Sequence, residues 1–293
     1  MGKTPESGSP RAYQLFSAIA AGTAIVAGIT VMAGWWLHIT GLTSILPGLA
    51  TMKPNTAICF VLSGAALWLQ RAEFAGGWRA GRAAKTAARI CAAIVVALGA
   101  ANLCERLFGW DLGVDELVFR RTLLATNVPN PGLMAAATAM AFTLIGAALL
   151  VLDWETRQKR RPAQGLALIA ALTGAIAVLG YVYGVRVFSV SVYASMALHT
   201  AILFVAMGAA VLFARPNRGM MAVLTNNGLG GLVARRLLPI LIVLPVIAGW
   251  IRLKGQQYGY YGTEFGLAIF TASNVVISVV VLWVTALWLN RTD

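Results

Sequence analysis

An apolar segment of eighteen residues is written three times in this chain, and a chain that repeats one helical packing surface has few folds open to it. Met52 to Leu69 reads MKPNTAICFVLSGAALWL, Met134 to Val151 reads MAAATAMAFTLIGAALLV, and Met196 to Phe213 reads MALHTAILFVAMGAAVLF. Met, Thr, Ala, Phe, Gly, Ala and Ala fall at the same seven offsets in all three. Met52, Thr56, Phe60 and Gly64 step by four residues. In a helix they form one slowly drifting ridge that ends on a small residue, where a second backbone can come close. Gly64, Gly146 and Gly208 are therefore expected as helix-packing positions of a repeated membrane hairpin, whereas Leu67 is expected to face lipid.

Runs of about 20 apolar residues lie near 13–37, 52–70, 87–104, 132–152, 164–183, 193–214, 237–253 and 265–289, each long enough to cross the hydrocarbon core. With 59% hydrophobic and 11% charged residues the chain is too apolar for a soluble domain of this length. Met1 to Pro10 is polar and the first apolar run is long enough to span, so no cleavable signal peptide is expected. If the N-terminus lies inside, 16 of the 23 lysines and arginines fall on the inner side, and Lys53, Arg106, Arg120, Arg121, Arg186, Arg252 and Lys254 fall outside. The positive-inside rule then puts both termini in the cytoplasm. The net charge of +13 is accordingly a topology signal and an attraction to anionic lipid, and nucleic acid is not expected as a partner.

The odd-numbered runs repeat more faintly. VMAG ends at Gly34, VALG at Gly99, AVLG at Gly180 and VIAG at Gly249. Thr271, Ala272, Leu282 and Trp283 fall at the offsets of Thr56, Ala57, Leu67 and Trp68, so the last pair of runs reads as a degraded fourth copy. The expected fold is all-α: a polytopic bundle of eight transmembrane helices built from four parallel helical-hairpin repeats. A cytoplasmic tail over 1–12 precedes a membrane domain over 13–290, with hairpins at about 13–70, 87–152, 164–214 and 237–289. Residues 291–293 would begin a cytoplasmic continuation. The outer segment from Glu105 to Asn130 is expected to hold a short amphipathic surface helix, and the inner loop from Asn217 to Arg236, with NNGLGG, to be flexible. Cys59, Cys91 and Cys104 have no metal spacing and read as buried structural thiols.

Polar groups gather at the outer starts of the even runs: Lys53, Asn55 and Thr56; Thr138; His199 and Thr200; Glu264 and Thr271. Ionisable and polar groups at that depth are costly unless paired or wet, so these eight residues form the candidate ligand-binding set. Each also has a structural reading. Lys53 snorkels, Asn55 and Thr263 cap or begin helices, the N-terminus of the last helix favours Glu264, and the threonines bond back to the preceding turn. His38 and His199 both fall near the outer interface. Two imidazoles on different helices are also a set that clamps a haem or a copper ion, which gives a redox membrane protein as one alternative, a structural membrane subunit being the other. Trp35, Trp36, Trp110, Trp154, Trp250 and Trp288 read as an interfacial belt. No HExxH, GxSxG or phosphate-binding loop is present, so no catalysis is expected within the chain.

Three blocks, PGLATMKPNTAICFVLSGAALWL at 47–69, FGWDLGVDELVF at 108–119 and ARRLLPILIVLPVIAGWIRLKGQQYGYYGTEFGLAIF at 234–270, resemble the N-terminal membrane-associated sensor (MASE-like) module of bacterial sensor histidine kinases and cyclic-di-GMP enzymes. The resemblance covers essentially all eight runs. It departs in the fourth, where Ala136 and Ala137 precede Thr138 in place of the Pro-Asn of residues 54 and 55. It implies an input module of the inner membrane that detects a small lipophilic ligand or a membrane state from the outer-leaflet side. The last helix would pass the signal to a cytoplasmic effector past Asp293, with homodimerisation through that effector.

Overall fold

The computed structural model describes residues 10–45, 49–71, 78–110, 112–113, 132–158, 160–184, 196–226 and 228–289. All regular structure among them is helical: α1 (Pro10–Trp36), α2 (Thr40–Thr43), α3 (Pro54–Leu69), α4 (Trp78–Phe108), α5 (Ala136–Leu150), α6 (Pro162–Tyr183), α7 (Leu198–Phe213), α8 (Met221–Thr225), α9 (Leu229–Gln257) and α10 (Thr263–Leu289). Five stretches, Arg11–Trp36, Gly81–Phe108, Pro162–Tyr183, Leu229–Gln257 and Thr263–Leu287, are long and apolar enough to cross a membrane. The fold is an all-helical bundle of membrane type.

The other three apolar helices are shorter than the runs that contain them. α3, α5 and α7 have 16, 15 and 16 residues. At about 1.5 Å per residue each is roughly 24 Å long, less than the roughly 30 Å hydrocarbon core. Their N-caps, Lys53, Ala135 and Ala197, stand at φ/ψ of −73°/152°, −58°/144° and −67°/149°, so each chain enters its helix from non-helical backbone. Pro54, with its fixed φ and absent N–H, suits the first helical position of α3. Asn55 thus lies in the first turn of the helix, which it begins with Pro54, and Lys53 holds the cap position. A helix enclosed by protein need not cover the hydrocarbon by itself, because neighbouring side chains meet its ends.

The chain divides into two compact units, Met1–Tyr181 with Val185–Met221, and Val182–Gly184 with Ala222–Asp293. In the first, α1 pairs with α3, α4 with α5, and α6 with α7, each through a reciprocal pair of glycines. A Cβ on Gly28 would stand 2.6 Å from the Ala57 carbonyl, and one on Gly64 2.6 Å from the Ala21 carbonyl. Gly99 meets Ala139 O at 2.9 Å and Gly146 meets Ala92 O at 3.0 Å; Gly174 meets Ala201 O at 2.6 Å and Gly208 meets Ala167 O at 2.7 Å. The contacting positions advance by constant steps, 82 and 144 residues from α3 to α5 and α7, and 71 and 146 from α1 to α4 and α6. This register corrects the alignment of the odd runs. Gly99 is matched by Gly28 and Gly174, each six residues before the Gly34 and Gly180 expected. Gly34 serves α2 instead, where a Cβ would lie 2.7 Å from that of Leu42.

The three inner helices meet at the phenylalanines of the repeated segment. Phe60, Phe142 and Phe204 are fully buried, with ring centroids 4.8 Å (60 to 142), 5.1 Å (60 to 204) and 4.7 Å (142 to 204) apart, in tilted and edge-on arrangements that aromatic quadrupoles favour. α3 also packs on α4, and α7 on α1. Leu67 is 1% exposed, so it belongs to this core and not to the lipid face. Lipid-facing character falls on the long helices, with Leu15, Ile19, Val26 and Ile29 of α1, and Ile90 and Ile94 of α4, exposed.

The second unit is the α9–α10 hairpin with the end of α6. The apolar window of α10 is 0% buried and that of α9 6%. Gly249 meets the Tyr183 and Phe270 side chains, not a backbone, so the reciprocal glycine contact has no counterpart here among the described residues. NNGLGG is largely the entry to a helix. Gly228 caps α9, its N–H bonded to Asn226 Oδ1 at 2.9 Å, and Arg235 donates to the Leu224 and Asn226 carbonyls. The expected outer amphipathic helix lies mostly outside the described residues; Glu105 to Phe108 complete α4.

Close backbone approach makes a specific demand on the glycines. Gly146→Ala is expected to cost roughly 1–3 kcal/mol through overpacking, read as a lower melting temperature in detergent. Gly165→Ala, on α6 with nothing within 4 Å of the added carbon, should melt no lower than the parent.

Candidate functional site

The constant offsets turn the repeated segment into layers. Met52, Met134 and Met196 come first, then Asn55, Ala137 and His199 at one equivalent position, then Thr56, Thr138 and Thr200, with the phenylalanine contact one turn further in. The three methionines are 1%, 0% and 2% exposed. Each precedes its helix, so its carbonyl lies outside the helical ladder and needs a donor from elsewhere. Trp35 Nε1 donates to Met52 O at 2.9 Å, Arg106 Nη1 to Met134 O at 3.4 Å, and Tyr181 Oη to Met196 O at 2.7 Å. Residues 35, 106 and 181 are separated by the same 71 and 146 steps as the glycines. An indole, a guanidinium and a phenol thus do one job at one position. Sequence reasoning missed this set because the three share no chemistry except a donor at the tip. Trp35, expected in the interfacial belt, turns inward.

Around Met134 the pairing is fuller. Its N–H donates to Asn102 Oδ1 at 3.3 Å, and Asn102 Nδ2 donates to Leu98 O at 3.1 Å.

Of the eight candidate ligand residues, the fold carries Asn55, Thr56, Thr138 and Thr200 into the first unit's interior, each at most 2% exposed. Lys53 and His199 are half-buried at the starts of α3 and α7. Both ring nitrogens of His199 and Oγ1 of Thr200 are buried without a hydrogen-bond partner among the described residues, as is Ser63 Oγ deeper in α3. Threonines of α5 and α6 are satisfied by back-bonding: Thr143 to Ala139 O at 2.9 Å, Thr173 to Ile169 O at 3.0 Å. Glu264 and Thr271 belong to the second unit and are exposed there, Thr271 donating to Leu267 O at 2.9 Å. At the turn between α9 and α10, Tyr261 Oη donates to Arg252 O at 2.9 Å and Gln256 Nε2 to Thr263 Oγ1 at 3.0 Å.

His38, the other residue of the metal reading, is exposed in the turn after α1 at φ +58°. Among the described residues no three His, Cys, Asp or Glu side chains form a group fit for a metal ion. Cys59 is buried, Cys91 and Cys104 only partly, and all three are free thiols.

No family model, curated protein or solved structure matches the chain. The residues and their geometry are what any functional reading has to rest on.

Tyr181→Phe tests the carbonyl clamp with little change of shape. Removing the donor from the carbonyl of buried Met196 is expected to cost about 1–2 kcal/mol, a lower midpoint in a detergent melt. The same change at Tyr258, 73% exposed, should leave the midpoint in place.

Proposed function

We propose that the chain is a membrane-embedded input module that takes up a small lipophilic molecule, or responds to membrane state, from the outer-leaflet side. In this reading all eight apolar helices form the membrane domain, the shorter α3, α5 and α7 being enclosed by the long ones. Glycine contacts at constant offsets support three copies of one hairpin, with α9–α10 as an altered fourth. The convergence of Arg71, Arg215 and Arg218, with Lys85 of α4, at the ends of α3 and α7 supports cytoplasmic termini.

The observation that carries the reading is the unsatisfied polar group at the head of α7. Buried imidazole nitrogens and a buried hydroxyl, without partners among the described residues, cost free energy that a bound molecule with one donor and one acceptor would offset. They stand where Asn55 and Thr56 stand on α3 and Ala137 and Thr138 on α5, so the layer is polar but unequal. A ligand joining His199 to its neighbours would favour one packing of the hairpins over another. Close-packed helices shift as rigid bodies, and α10 would pass that shift to a cytoplasmic effector, a histidine kinase or a cyclic-di-GMP enzyme by the resemblance of the sequence blocks.

The test uses the whole chain in nanodiscs with a spin label at residue 285, near the far end of α10, and decylubiquinone as the probe. Quinone is expected to raise the melting temperature and to alter the label's spectrum, and His199→Leu to abolish both effects. Binding that leaves the label unchanged, or that survives His199→Leu, would contradict the proposal.

A further inference from the structure

The polar residues of α10 are not scattered. Around the middle of this 27-residue helix the sequence places an amide among hydroxyls, at Thr271, Asn274, Ser278 and Thr285. With Leu267 before them and Val281 between, the positions advance by steps of 4, 3, 4, 3 and 4 residues. That is the 3.5-residue period of two helices wound left-handedly about each other. At about 100° per residue the four polar side chains fall within about 60° of arc. α9 holds the neighbouring flank: Gly249 approaches the Phe270 ring, and Val281 and Thr285 share the lip of an apolar groove with Leu237 and Ile240. The far flank, with Ile269, Val276, Val279 and Trp283, is exposed and wholly apolar, a surface that lipid tails satisfy.

Back-bonding settles part of the polar stripe. Thr271 Oγ1 donates to Leu267 O at 2.9 Å, Thr285 Oγ1 to Val281 O at 2.7 Å, and Asn274 Nδ2 to Phe270 O at 2.8 Å. A threonine spends its single donor in this way, whereas an asparagine has two N–H donors and an acceptor oxygen. Among the described residues the second N–H and the Oδ1 of Asn274 have no partner, and neither does the hydroxyl of Ser278. Near the middle of a membrane-spanning helix lipid tails supply none. Thr271 and Ser278 are exposed and Asn274 is half-buried, so the stripe opens away from the hairpin's own contact. An amide with one donor and one acceptor left is completed by a second amide turned through a two-fold axis, and a hydroxyl is completed in the same way.

We propose that α10 is a dimerisation helix, on which a second copy of this chain packs along Leu267, Thr271, Asn274, Ser278 and Thr285, with the two Asn274 amides hydrogen-bonded to each other. A two-fold contact uses the same patch on both copies, which a self-complementary amide suits. Hydroxyl side chains on either side of it let the helices come close, and a single amide in the seam fixes their register. The resemblance of the sequence blocks implies homodimerisation through a cytoplasmic effector. This seam lies within the membrane span and holds two copies without one. It is distinct from the layer around His199 and does not depend on the sensor reading.

The experiment oxidises the full chain in phosphatidylcholine vesicles after Ser278→Cys or Val276→Cys, with the parent, which carries Cys59, Cys91 and Cys104, as the background. Positions 278 and 276 are both exposed, at nearly one depth and on opposite flanks of α10. Ser278→Cys is expected to give a disulfide-linked dimer in several-fold excess over Val276→Cys and over the parent. Adding Asn274→Leu should lower that yield about fivefold, the change in a dimer constant that corresponds to about 1 kcal/mol of hydrogen bonding between membrane helices. The contrast between the two cysteine positions keeps Asn274 in place, so it reads the interface even where Asn274→Leu fails to fold. Equal yields at 278 and 276 would reduce the contact to random encounter and overturn the proposal. No dimer at either position would overturn it too, and so would a dimer that folded Asn274→Leu leaves undiminished.

Discussion

Everything in the first unit depends on how closely two helix backbones approach at six glycines. Between membrane helices the hydrophobic effect supplies no net attraction, since lipid tails are as apolar as leucine, so association rests on dispersion and on polar contacts at short range. A missing Cβ on Gly28, Gly64, Gly99, Gly146, Gly174 and Gly208 lets each helix of a hairpin lie against its partner's carbonyls. That approach fixes the hairpins, and the hairpins place the phenylalanines at a common centre. The phenylalanines in turn set the depth of the threonine and methionine layers.

Much of this was legible in the sequence. Gly64, Gly146 and Gly208 could be named because the inner helices repeat whole segments, and a four-residue step maps directly onto one helical ridge. Their partners on the long helices were misassigned, because a glycine in an Ala-rich run has no local mark of what it packs against. Gly34 looked as good as Gly28, and the choice between them is made by the tertiary register alone. The length of α3, α5 and α7 was overestimated for a related reason. Apolar composition says that a segment avoids water, and protein avoids water for it as well as lipid does; Leu67 went to the wrong side on the same ground.

The polar layer was half legible. Thr56, Thr138, Thr200 and His199 are recoverable from the repeat, and His199 and Thr200 are the two with buried polar atoms that have no partner among the described residues. Trp35, Arg106 and Tyr181 were beyond reach, since what recurs is a geometric duty toward a methionine carbonyl and three unrelated side chains discharge it. Thr271 was grouped with the layer by its offset and Glu264 by its place at the start of the last run, yet that hairpin lacks, among the described residues, the glycine contact that defines the other three. The two ends of the first unit thus differ in kind: one is closed by unlike side-chain donors over the methionine carbonyls, the other by the Arg215 fork on Asp153 and the Gln70 and Ala214 carbonyls.

The central claim is that three hairpins share one aromatic centre, and energetic coupling among Phe60, Phe142 and Phe204 tests it most directly. The three single Phe→Leu variants, the three pairs and the triple variant would be compared by reversible unfolding in mixed micelles. Shared contact predicts non-additivity, with the triple variant losing less stability than the single losses imply and coupling in every pair of about 0.5 kcal/mol or more. Losses that add within about 0.3–0.5 kcal/mol would mean that the rings sit apart, and the common centre would be wrong.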